Sequence, residues 1–177
     1  MELTEKSDAA VSATDAPLTV LIADDDPPTR VLLRAAISQW GYKVIESKDG
    51  EEAWNALQQP ELPQLIILDW LMPKIDGIDL CRRIKKELTY HPYVILLTQV
   101  AGTANVIKGL EAGADEFLSK PFNMAELRSR LSVGSRIVNF EIQLAKQNKI
   151  VLENKKQLEE LMMAYLFMLS NLTDSKS

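Results

Sequence analysis

The sequence predicts an α/β fold, a mostly parallel sheet covered by helices on both faces, followed by a long C-terminal helix. Short apolar runs rich in Val, Ile and Leu ("LTVLIA", "YKVIE", "QLIILD", "YVILLT" and "EFLSK") read as strands. The segments between them ("PPTRVLLRAAISQW", "GEEAWNALQQ", "GIDLCRRIKKEL" and "TANVIKGLEAG") repeat apolar residues at three and four positions, as helices do; Val31, Leu32, Ala35, Ala36 and Trp40 are one such set. Strict alternation of the two textures requires right-handed crossovers between parallel strands. From Met124 almost to the end the chain has no proline and one glycine, Gly134, which one long helix explains.

The opening stretch, "MELTEKSDAAVSATDAP", has no basic region followed by an apolar core, so it is expected to be a disordered leader over residues 1–17 and not a signal peptide. A compact domain is expected over 18–135, a helix over 136–172 and a disordered tail over 173–177. The 177 residues and 46% hydrophobic content suit one globular domain with room for an extra element. A formal charge of -5 argues against direct nucleic-acid binding, which relies on clustered Lys and Arg. A cytoplasmic location and no membrane span are expected. Cys81 is the only cysteine; with Leu80 and Ile84 beside it, it reads as a buried thiol on a helix facing the core.

The first strand ends in "ADDDPPTR", where a nucleotide-binding fold would carry a Gly-rich phosphate loop. Ligands of parallel sheets lie outside the carboxyl ends of the strands. Those ends supply Asp24 and Asp25 after the first strand, Asp69 after the third, Thr98 after the fourth and Lys120 after the fifth. Carboxylates this close repel one another and are driven to take up protons unless a cation neutralises them. A hard divalent ion such as Mg2+, bound by one or two carboxylates plus water and phosphate oxygens, meets that need. Asp69 is then a candidate nucleophile toward phosphorus, with Thr98 and Lys120 placed to bind phosphoryl oxygens. The competing account of "DDD" is a helix N-cap followed by Pro27 and Pro28 in the first turn, and for Asp26 that account is the better one.

"VLIADDD", "LIILDWLMPKIDG", "ILLT" and "AGADEFLSKPF" together resemble the receiver domain of bacterial two-component response regulators, over about Leu18 to the early part of the last helix. The resemblance implies a flavodoxin-like five-stranded sheet of order 2-1-3-4-5, in which a histidine kinase or phosphotransfer protein donates a phosphoryl group to Asp69. It implies that Asp25 binds Mg2+ directly, with Asp69 and the backbone carbonyl of Leu71, and that Asp24 assists. Lys120 pairs with the phosphoryl group, Thr98 closes onto it, and Phe117 turns inward to fill the space that Thr98 vacates. Lys120 and Pro121 are expected to be joined by a cis peptide. The sequence departs from the family after Thr98, where a small residue is usual and Gln99 stands at the pocket mouth.

No second compact domain or helix-turn-helix follows Met124, and His91 lies in a loop, a poor setting for a kinase phosphoacceptor. The chain is therefore expected to be a phosphoacceptor signalling protein, catalysing only its own phosphoryl transfer and dephosphorylation. Ile137, Leu144, Val151, Leu158, Tyr165 and Leu172 fall seven apart, with Glu141, Asn148, Lys155, Met162 and Leu169 between them. That stripe predicts a parallel coiled-coil homodimer, with Asn148 as the candidate register-setting residue; a helix packing back on its own domain is the alternative. The segment "LMMAYLFML" is apolar all round, too short to span a bilayer, and expected to be covered by another chain or a downstream partner. The main rival to a stand-alone signalling protein is the regulatory part of a longer output enzyme such as a diguanylate cyclase. A small flavin-binding protein of similar fold is a second rival, but leaves Lys120 unexplained.

Overall fold

The computed structural model describes residues 16–99 and 103–174, the side chains at 103–106 and 173–174 excepted. The expected leader, save its last two residues, and the tail from 175 onward lie outside the described residues. The strands are β1 (Thr19–Ala23), β2 (Lys43–Ser47), β3 (Leu65–Asp69), β4 (Tyr93–Thr98) and β5 (Glu116–Ser119). The helices are α1 (Pro27–Gln39), α2 (Gly50–Ala56), α3 (Gly77–Glu87), α4 (Thr103–Glu111) and α5 (Met124–Asp174). All paired strands are parallel and the sheet order is β2-β1-β3-β4-β5, the flavodoxin-like order expected.

The central strands β1, β3 and β4 are buried along their whole length, which is why they read as unbroken apolar runs and not as alternating ones. Edge strand β2 is partly exposed and mixes Lys and Glu with Val and Ile. Ile66, Leu68, Val94 and Leu96 pack with Leu80, Cys81 and Ile84 of α3 and with Ala53 of α2, so Cys81 is buried as predicted. Aspartates cap three helices: Asp26 accepts from Thr29 N at α1, Asp49 from Glu52 N at α2 and Asp76 from Asp79 N at α3.

The phase of α1 differs from the set picked out in the sequence. Leu33 and Ile37 are its buried residues, while Val31 and Leu32 are 54% and 57% exposed. Apolar residues lie on more than one side of this helix, so spacing alone allows two phases. Contacts at the helix entry agree with the observed one: Arg30 donates to the carbonyl of Asp24 at 2.7 Å.

The chain divides into two compact units, residues 1–138 and 139–177. In the first, Leu127, Leu131 and Val138 of α5 are buried. Gly134 is required there, because a Cβ at this position would lie 2.5 Å from the ring of Tyr93. In the second, every described residue from Gln143 to Leu172 is exposed and helical.

Candidate functional site

The strand ends converge as the alternation predicted. Asp24 follows β1 and is fully buried; Asp69 ends β3 and Thr98 ends β4, both buried. Register places Asp69 opposite Leu97 and Thr98 opposite Ser119, the residue before Lys120. The backbone N–H of Lys120 donates to the carbonyl of Thr98 at 2.7 Å, and the Lys120–Pro121 peptide is cis, as expected.

Lys120 Nζ stands between two carboxylates, 2.9 Å from Asp24 Oδ2 and 3.1 Å from Asp69 Oδ1. The sequence pointed to pairing of Lys120 at the Asp69 site; its equal hold on Asp24 was not legible there. Asp24 Oδ1 also accepts the N–H of Asp26 at 2.9 Å, so both of its oxygens are engaged. Burial, then the neighbouring Asp24 charge, push the Asp69 carboxyl above the usual range, and Lys120 only partly offsets them. Burial alone would lower Lys120, but the hydrogen bond to Asp24 and the charges of both carboxylates outweigh it and raise the ammonium.

Asp25 is the exposed member of the acidic trio. Asp24, Asp25 and Asp69 can each offer one carboxylate oxygen with all three atoms within 4.8 Å of one another. Three hard oxygens at that spacing suit a cation such as Mg2+ and suit no soft metal. A cavity of about 210 Å³ opens beside them, lined by Asp25, Asp69, Trp70, Leu71 and Gln99. Gln99 therefore stands where the sequence placed it, in the pocket wall. Leu71 is 58% exposed and presents only an apolar side chain. Asp26 takes no part in this cluster; its carboxylate accepts from Thr29 N at 3.0 Å and Thr29 Oγ1 at 2.6 Å, which hold its pKa low. Phe117 is half-buried against the core cluster, as are Trp70 and Ile75.

Two features escaped the sequence. Trp70 lines the cavity, and only its place next to Asp69 at a strand end could have indicated this. Lys74 is the one described non-glycine residue in the left-handed region, at φ 69°, and it reaches the buried carboxylate of Asp49 at 3.0 Å and Glu51 at 2.8 Å. Gly50 lets the start of α2 close on Ile75, and Gly77 lets the start of α3 close on the Asp69 carbonyl, where a Cβ would collide. The loop from Asp69 to Gly77, which carries Leu71, is thus held at both ends and in the middle.

A family model described as "Response regulator receiver domain" matches residues 20–132. The phosphate regulon transcriptional regulatory protein PhoB of Pseudomonas aeruginosa is 41% identical over 114 residues, 64% of this chain and 49% of that protein. The chain spans about half the length of the curated relatives it matches first. The receiver domain of the Francisella response regulator 1452 superimposes with a TM-score of 0.62 at 34% identity, over 66% of this chain and 94% of that one. A probable two-component response regulator/GGDEF domain protein superimposes with a TM-score of 0.64 at 28% identity, over 68% of this chain and 50% of that one.

Proposed function

The chain belongs to the response regulator receiver family of two-component systems, and from that premise we propose that Asp69 accepts a phosphoryl group from the phosphohistidine of a histidine kinase or phosphotransfer protein. The carrying observation is the Lys120 ammonium held 3.1 Å from a buried carboxylate whose pKa burial has raised, at the edge of an open cavity. An Asp69 oxygen would attack phosphorus, the P–N bond would break, and the imidazole would leave with its electron pair.

Asp25, Asp69 and the Leu71 carbonyl are the proposed Mg2+ ligands, with Asp24 assisting from behind. When bound, the ion would supply positive charge against the developing phosphoryl oxygens. Asp24, its two oxygens already engaged, holds Lys120 in place. Lys120 and the Thr98 hydroxyl would bind phosphoryl oxygens, drawing the ends of β4 and β5 toward Asp69, and Phe117 would follow Thr98 inward. The output would pass through the face formed by α4 and β5 and through the later part of α5 in a homodimer, to a downstream protein in the cytoplasm. Among the described residues no helix is long and apolar enough to cross a membrane.

Incubation with a small phosphodonor and Mg2+ should add one phosphoryl group to the intact mass, and Asp69→Asn should abolish it; equal labelling of the variant would sink the assignment. The similarity to a response regulator/GGDEF protein favours one second reading, the regulatory part of a longer enzyme such as a diguanylate cyclase. A reading frame continuing past Ser177 into a cyclase motif would decide for it.

A further inference from the structure

The later part of α5 carries an uncharged strip as well as an apolar line. From Phe140 to Leu172 the charged residues are Glu141, Lys146, Lys149, Glu153, Lys155, Lys156, Glu159 and Glu160. With Leu144, Val151, Leu158, Tyr165 and Leu172 taken as one seam position, the residues three places later in each heptad are Phe140, Gln147, Asn154, Leu161 and Met168. No charge falls in either row, nor in the adjoining row of Gln143, Ile150, Gln157 and Ala164. The row four places later, by contrast, contains Glu141 and Lys155, which in a parallel pair would meet their own copies at the interface.

The seam side chains are all exposed in the single chain: Phe140, Leu144, Val151, Leu158, Leu161, Tyr165, Met168 and Leu172 lie between 46% and 70%. Four of the charged residues pair along their own helix, Lys155 with Glu159 and Lys156 with Glu160, each at 4.0 Å, so their own helix and not a facing one already supplies their opposite charge. The two polar seam residues are amides. An amide donates and accepts at once, so Gln147 and Asn154 can each pair with their own copy, which makes the strip complementary to itself in a parallel, in-register arrangement.

We propose that a second copy of this chain covers the face formed by Phe140, Leu144, Gln147, Val151, Asn154 and Leu158, in parallel register, with Gln147 and Asn154 as the layers that set it. This deepens the dimer reading given above, and moves the second seam one residue away from Asn148. From Leu161 to Leu169 the helix is apolar on every side, so the register is specified by the part before it.

The test uses the full chain in two steps. Light scattering at tens of micromolar should give twice the chain mass; a monomer would defeat the dimer reading itself and this inference with it. Asn154→Cys, Lys155→Cys and Lys149→Cys are then oxidised with diamide and run without reductant. Cys81 is buried, and burial pushes its thiol up to about 11, so it serves as a silent background. Asn154→Cys should give the covalent dimer, with little from the other two. If the protein is a dimer but Lys155→Cys links best, the seam is the other row; if none links, the helices are not parallel and in register; either result overturns the proposal. As a second readout, Asn154→Lys should weaken the dimer by about tenfold or more, because like charges would then meet in the seam, while Lys149→Glu should leave it unchanged.

Discussion

Replacing Lys120 with Met tests what holds the acidic site together. The substitution keeps most of the side-chain volume and removes the ammonium that lies 2.9 Å from Asp24 and 3.1 Å from Asp69. Two carboxylates then face each other without a cation. At 4.8 Å, the widest spacing of the ligand oxygens, two unit charges repel by about 3.5 kcal/mol at an effective dielectric constant of about 20. Removing one partner of a buried ion pair costs about 3–5 kcal/mol, so the two routes agree on a loss near 3 kcal/mol. With a urea m-value of about 1.5–2 kcal/mol/M the midpoint should fall by about 1.5–2 M at pH 7 without divalent ions. The pH dependence has a definite sign. Burial and Asp24 already raise Asp69 in the folded chain, and loss of Lys120 raises it further. A carboxylate with a raised folded pKa contributes its full stability below the unfolded value and loses it as pH rises through the folded value. The deficit of the variant should therefore shrink as pH is lowered into the carboxylate range. Millimolar Mg2+ should also recover part of it, by binding the folded state alone. A variant within about 0.5 kcal/mol of the wild type at pH 7 without Mg2+ would refute the reasoning, since ordinary surface substitutions do no more.

Leu71 offers no hydrogen bond to a water entering the cavity wall, so Leu71→Asn should quicken decay of the phosphorylated protein, followed by intact mass over time; an unchanged or slower decay would shift attention to Gln99. Gly77→Ala drives a Cβ into the Asp69 carbonyl and to 3.0 Å from the Cα of Trp70. It should cost about 1–3 kcal/mol and lower phosphoryl incorporation, and a melting temperature equal to wild type would show that the loop can give. Cys81, raised to about 11 by burial, should resist alkylation at pH 8 in the native protein and react at the ordinary rate in urea. Fast native labelling would mean that α3 opens readily.

The sheet was legible because its central strands are buried on both faces, which leaves runs such as Leu65–Leu68 without a polar interruption until Asp69. The convergence of the candidate site residues was legible for the same reason. A charged residue that ends such a run stands at a strand end, and parallel strands bring their ends together. What could not be read depends on distances across the fold. The phase of α1 rests on Leu33 and Ile37, yet Val31 and Leu32 satisfy the same spacing. The clasp of Lys74 on Asp49 and Glu51 joins residues far apart in sequence, and it sets a lysine at a left-handed position where a sequence reading expects glycine. Asp49 itself had a visible signal, the Asp-x-x-Glu start of α2, in which Glu52 donates its N–H to Asp49 and accepts that of Lys48.

The double engagement of Lys120 links charge to shape. Its ammonium is shared between Asp24 and Asp69, while its backbone N–H is bound to the carbonyl of Thr98. A phosphoryl group on Asp69 would bring nearly two negative charges into competition with the single charge of Asp24 for that ammonium. Any backbone movement of Lys120 toward it would draw on the end of β4, because the Lys120 N–H to Thr98 carbonyl hydrogen bond joins the two strand ends. Phe117 lies on β5, three residues before Lys120 and opposite Leu96 of β4, so a displacement at the strand ends would act on the packing of that ring. The same ammonium that offsets the cost of two buried carboxylates would thus be a group through which a phosphoryl group at Asp69 acts on the ends of β4 and β5.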